Sequence, residues 1–173
     1  NDQIQIIIEK ESREKTLNTI LEIRDNEKDL FIVADDIVFL DGWYESLIDN
    51  YANGDIIGFS MIDAQSSLLQ DFGYDFVSVN GELSYRGLYK HKELIGLDLP
   101  QYRKCDAVTG CAMFIKKEVF DSVNNFPLEG ENRWGELLFS HLASTYDHET
   151  IVLNSHLRHY GISTKQNKDV KKS

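Results

Sequence analysis

The stretch Leu30-Phe31-Ile32-Val33-Ala34-Asp35-Asp36-Ile37 decides how the fold is read. Its apolar run, Leu30 to Ala34, is too short for an independent helix and reads as a strand buried on both faces, as strands are inside an α/β sheet. The run stops at two adjacent aspartates. Both carboxylates therefore fall at the C-terminal end of a buried strand, the edge of an open α/β sheet where ligands bind. Neighbouring carboxylates repel, and a divalent cation relieves the repulsion by taking oxygen ligands. Capping a turn with one aspartate and hydrating the other does the same.

Outward from this stretch, strand and helix patterns alternate. Ile4 to Ile8 reads as an earlier buried strand, and Glu11 to Arg24 as a helix with Leu17, Ile20, Leu21 and Ile23 on or near one face. After the turn Asp41-Gly42 come a short helix, Trp43 to Tyr51, and a third strand, Ile56 to Met61. This order predicts an α/β domain on a mostly parallel sheet with helices on both faces. Phe76 to Val79, Asn80-Gly81 and Glu82 to Tyr85 predict a hairpin, because Asn-Gly readily takes positive φ. Residues 86 to 104 read as a surface loop. Ala107 to Ile115 resumes strand character, Lys117 to Val123 and Trp134 to Tyr146 are helical, and Ile151 to Leu153 closes the sheet. Residues 1–164 form one domain on this reading, and Lys165 to Ser173, with four lysines, a flexible basic tail.

A chain of 173 residues with 42% hydrophobic and 27% charged residues and only 2 prolines is long enough for a real core and too apolar for disorder. Lys+Arg 18 against Asp+Glu 29 gives a net charge of -11, which repels phosphate backbones, so no nucleic-acid partner is expected. No apolar run approaches the roughly 20 residues that span a bilayer. Asn1-Asp2-Gln3 has no export signal, and a cytoplasmic location is expected. Cys105 and Cys111, about 20 Å apart if the chain between them is extended, are expected as free thiols.

Few residues carry chemistry. Glu136 stands in the first turn of the longest C-terminal helix, where the helix macrodipole favours an acid whatever its role. The polar loop Glu129-Gly130-Glu131-Asn132-Arg133 leads into it, as a substrate-facing loop would. Trp134 is either core or a platform for stacking a sugar, and Trp43 is core. His156 and His159 are three apart, hence on opposite faces of a strand, and His159, followed by Tyr160-Gly161, is the better ligand. His91, His141 and His148 have no comparable setting. There is no Gly-rich phosphate loop ending in Lys-Ser/Thr, no Gly-x-Ser-x-Gly elbow and no His-Glu-x-x-His helix.

Taken in order, these segments resemble family 2 glycosyltransferases of the GT-A fold, inverting enzymes that build surface polysaccharides and similar glycans. Leu30 to Ile37 followed by Gly42-Trp43-Tyr44 looks like the family's strand, acidic metal motif and aromatic-led helix. Asp106-Ala107-Val108-Thr109-Gly110 through Lys117-Glu118-Val119-Phe120 is close to its V-T-G strand leading to R-x-E-V-F. Trp134-Gly135-Glu136 falls where the family has its acidic pair, and His159-Tyr160-Gly161-Ile162-Ser163 where it has H-x-G-x-S. The chain departs from the pattern at Ala34, where an aspartate is common, at Asn124-Asn125-Phe126 for Gly-Gly-Phe, and at Gly135-Glu136 for Glu-Asp. It also has little room before Asp35 for the nucleotide-cradling elements, which implies a piece of a longer protein.

The resemblance implies a nucleotide-sugar donor and a glycan or lipid-linked acceptor, compatible with peripheral association with a membrane. It implies Mn²⁺ or Mg²⁺ on Asp36, with Asp35 and His159 assisting, Glu136 as general base, and Thr109, Gly110, Trp134 and Glu131 facing substrate. A non-catalytic carbohydrate- or partner-binding domain on the same scaffold is the alternative, and a metal-dependent phosphohydrolase on Asp35 and Asp36 a more distant one.

Overall fold

The computed structural model describes residues 13–89, 92–94, 96–124, 126 and 135–161. The expected strand Ile4 to Ile8 and the tail Lys165 to Ser173 lie outside the described residues. Helix α1 (Arg13–Ile23) leads to β1 (Leu30–Val33), β2 (Ile37–Phe39), α2 (Trp43–Asn50) and β3 (Ile56–Asp63). Next come β4 (Leu68–Asp71), β5 (Tyr74–Val79), β6 (Glu82–Gly87), β7 (Lys92–Glu93), β8 (Tyr102–Lys104) and β9 (Ala112–Ile115). Helices α3 (Val119–Ser122) and α4 (Gly135–Ser144) precede the long strand β10 (Thr150–His159).

The chain is α/β, but its main sheet is mixed. Five of its strands run in the order β1-β9-β3-β10-β2, and among the described residues only β3 and β10 pair in parallel. Strand β9 lies antiparallel between β1 and β3, so those two run in the same sense without pairing with each other. This corrects the expectation of a mostly parallel sheet: apolar runs reveal strands, and not which neighbour each one meets. The outer edge of β3 is shared by β9, opposite residues 56–58, and β4, opposite residues 61–62. The outer edge of β10 is likewise divided between β8, opposite residues 151–153, and β2, opposite residues 157–159. A register shift in β10 between Leu153 and Leu157 marks the division.

Alternation along the central strands feeds two apolar clusters, one on each face. Ile56, Met113, Ile115 and Val152 join Leu17 and Leu21 of α1, Val119 and Phe120 of α3, and Phe139 and Ala143 of α4. Ile57, Phe59, Met61, Ile151, Leu153 and Leu157 join Leu47 of α2. Full burial of a side chain such as Phe59 is worth about 1.5–3 kcal/mol. Trp43 packs on the second cluster, with its ring 5.7 Å from Phe31 and 4.3 Å from Phe39. Ile23, expected on or near the apolar face of α1, is exposed.

The hairpin forms at the expected turn, with Asn80 at φ 54° and Gly81 at φ 84°. Two strands alone are marginal in water, and this pair is tied to the body. Tyr74 bridges to Ala107, the Phe76 N–H donates to Asp106 at 2.7 Å, and Arg103 pairs with Asp75 at 3.0 Å. Residues 86 to 104, expected as loop, contribute β7 and β8 as short edge strands. Among the described residues no helix is long and apolar enough to cross a membrane.

Candidate active site

Strands β1, β3 and β10 end on the same side of the sheet, and most of the described candidates gather there. Asp36 lies between β1 and β2, held by its backbone carbonyl, which accepts the Tyr160 N–H at 3.0 Å. His159, the last residue of β10, is fixed by the Ala64 N–H donating to its carbonyl at 3.1 Å. Their side chains meet, with His159 Nε2 3.4 Å from Asp36 Oδ2 and both largely shielded from solvent. Asp35 does not join them and is exposed.

The other nitrogen of His159, Nδ1, lies 2.8 Å from Gln70 Oε1 on β4. Gln70 is the extra residue of a β-bulge: Leu69 pairs with Ile62 and Asp71 with Met61, which leaves Gln70 unopposed. Beside it Asp71 is buried and accepts the Tyr74 hydroxyl at 3.3 Å. Burial, and then the charge of Asp71, push the Tyr74 phenol above its ordinary value. Nothing in the local sequence singles out Gln70, because its place depends on the bulge and on a strand 89 residues away.

Thr109 and Gly110 come to the same edge through β9. The Cys111 N–H approaches Thr109 Oγ1 at 3.4 Å, and the Cys111 carbonyl accepts the Ala34 N–H at 2.8 Å. The turn therefore runs beside the chain that carries Asp35 and Asp36. Val108 packs tightly on β3, where a Cβ at Gly58 would stand 2.5 Å from its own. Both cysteines are free, as expected.

Glu136 is buried in the first turn of α4, and its carbonyl accepts the Ser140 hydroxyl at 3.1 Å. Strand β5 touches both β4 and this helix: the Tyr74 hydroxyl donates to Asp71, and Phe76, two residues on, meets the His141 ring of α4, five positions past Glu136, at 4.8 Å. Glu131 and Trp134 lie outside the described residues.

A carboxylate oxygen and an imidazole nitrogen 3.4 Å apart suit adjacent ligands of one octahedral ion, which stand roughly 3 Å apart when each bond is about 2.1 Å. Among the described residues no group of three or more His, Cys, Asp or Glu side chains is placed to hold a metal, so remaining ligands would come from substrate and water. A separate open cavity of about 450 Å³ lies at the opposite end of β10, lined by Lys104, Asp106, Ser144, His148 and Thr150 among others. It contains none of the expected site residues.

The class established by these elements is α/β with a mixed sheet. No protein-family model matches the chain, and no curated protein matches it. Among solved structures, it is similar to the crystal structure of A197 from STIV, with 17% identity and a TM-score of 0.45 over 83% of this chain and 62% of that one. The chain thus spans less than two thirds of the length of that protein.

Proposed function

We propose that the chain is a glycosyltransferase domain of the GT-A type, moving a sugar with inversion from a nucleotide-diphosphate donor to a glycan, lipid-linked or other hydroxyl acceptor. The observation that carries this reading is the meeting of Asp36, His159 and the Thr109-Gly110 turn at the ends of β1, β3 and β10. They come from three separate motifs of the family pattern, and they meet where α/β sheets bind ligands.

Asp36 and His159 would hold Mn²⁺ or Mg²⁺, with Asp35 adding negative charge from solvent. Such an ion supplies positive charge to the diphosphate leaving group. Gly110, without a side chain, lets the backbone come close to the donor, and Thr109 offers a hydroxyl beside it. Glu136 accepts the proton of the attacking hydroxyl, as inversion in a single displacement requires. By the family pattern, Trp134 and Glu131 would contact substrate. The domain works in the cytoplasm.

A non-catalytic binding domain is favoured by one departure: Ala34 stands where the family commonly has an aspartate, and its N–H is committed to Cys111. Titration of the full-length protein with Mn²⁺ and a panel of nucleoside diphosphates, followed by a transfer assay with the matching nucleotide sugars, separates the two. Metal-dependent binding with sugar transfer or donor hydrolysis supports the enzyme. Absence of metal-dependent nucleotide binding overturns it.

A further inference from the structure

We propose that Gln70 is a positioning residue that holds His159 as the Nδ1–H tautomer, so that the lone pair on Nε2 faces Asp36. This rests on the reading of Asp36 and His159 as ion ligands. The geometry is a line of three groups: Gln70 Oε1 stands 2.8 Å from Nδ1, and Nε2 stands 3.4 Å from Asp36 Oδ2. At the first distance the ring N–H donates to the amide oxygen in an ordinary hydrogen bond. The second is longer than the roughly 2.7–2.9 Å of a charge-assisted N–H···O bond. A neutral ring that gives its hydrogen to Gln70 leaves Nε2 without one, and two electron-rich atoms then face each other across a gap that suits a cation.

The backbone supports the same assignment. Gln70 is the bulge residue of β4, and a bulge re-aims a side chain that a regular strand would send elsewhere. Asp63, the residue of β3 opposite His159, accepts through Oδ1 the N–H groups of Gln65 and Ser66 and the Ser66 hydroxyl at 3.1, 2.7 and 2.8 Å. A histidine ligand usually donates its second ring N–H to an acceptor that sets the tautomer, and loss of that acceptor lowers metal affinity by about 10–100-fold. An amide does this without adding a charge beside Asp36 and Asp71.

The test uses the full chain labelled with ¹⁵N-histidine, studied without metal at pH 8, with His159 assigned from a His159→Phe spectrum. Wild type is expected to show a protonated Nδ1 and a bare Nε2 at His159. Gln70→Leu should shift it toward the Nε2–H form that free imidazole side chains prefer, and Gln70→Glu, which keeps an acceptor, should retain Nδ1–H. A wild-type Nε2–H signal, or a tautomer identical in wild type and Gln70→Leu, overturns the proposal. Mn²⁺ binding with uridine diphosphate, followed by electron paramagnetic resonance, is the second readout, with Gln70→Leu expected to be about 10–100-fold weaker. If the tautomer follows Gln70 while wild type binds no Mn²⁺ with or without nucleotide, the positioning role stands and the donor-site reading falls. If Mn²⁺ binds equally to wild type and Gln70→Leu with no change of tautomer, the donor-site reading stands and Gln70 has no positioning role.

Discussion

The backbone N–H of Ala34 donates to the carbonyl of Cys111 at 2.8 Å, just beyond the paired residues of β1 and β9. That bond joins the loop carrying Asp35 and Asp36 to the turn carrying Thr109 and Gly110, motifs more than seventy positions apart in the chain. It extends the β1–β9 ladder by one step and holds the two loops side by side.

Asp36→Asn keeps the shape of the side chain and the carbonyl that accepts from Tyr160, while removing the charge opposite His159. The fold should be unchanged, and Mn²⁺-dependent binding of a nucleoside diphosphate should weaken by at least tenfold. Calorimetry showing equal affinity for the two proteins would remove Asp36 from the ion site.

Glu136→Gln retains the size of a buried side chain and cannot take a proton. If the proposed transferase reading holds, turnover of the full-length protein should fall by about 10² to 10⁴, the usual worth of a general base, with donor affinity nearly constant. An initial-rate assay at saturating donor decides this. An unaltered rate would assign the base elsewhere, with Glu131 the next candidate.

Gly58→Ala brings a methyl group to 2.5 Å from Val108 Cβ, and β3 has neighbours on both edges that prevent retreat. Overpacking of this kind typically costs about 1–3 kcal/mol. Urea unfolding should show the free energy of unfolding lowered by that amount and the midpoint lowered in proportion, and a combined Gly58→Ala and Val108→Ala protein should recover part of it. Failure of the pair to recover would mean that the damage is not steric.

Stability should decline in alkali through Cys105 and Tyr74. Burial pushes the Cys105 thiol up to about 12 from an ordinary value of 9.0. Between those values the unfolded chain releases a proton that the native protein keeps, so the stabilisation is complete below pH 9 and is lost as pH rises toward 12. Tyr74, also raised, adds to the same trend from pH 10 upward. Urea midpoints at pH 8, 9.5 and 11 should fall progressively, with a shallower fall in Cys105→Ala. Equal slopes would show that the thiol contributes nothing.

The elements that announced themselves in the sequence did so through local physics. Leu30 to Val33 is a strand as its apolar run suggests, but it lies at the end of the described sheet order with only Ile32 buried and Val33 exposed, so burial on both faces is not what makes it one. The Asn80-Gly81 turn follows from two residues that accept positive φ. The pairing of Asp36 with His159 was anticipated only because a family pattern put both into one site. Strand partners were harder to read: nothing in Ala112 to Ile115 says that it will run antiparallel between β1 and β3. Gln70 was invisible for the same reason. Its importance comes from a bulge, and a bulge is a mismatch between two strands that neither strand contains alone.

Strand β10 is the final strand among the described residues, and it covers the full inner edge of β3. During synthesis β3 leaves the ribosome long before its parallel partner, so Ile57, Phe59 and Met61 must wait beside an open row of amides until Thr150 to His159 arrive. Unpaired apolar edges of this kind recruit other chains. The domain is therefore at its most vulnerable late in translation, and any truncation before residue 159 should yield a chain that aggregates as well as one that lacks His159.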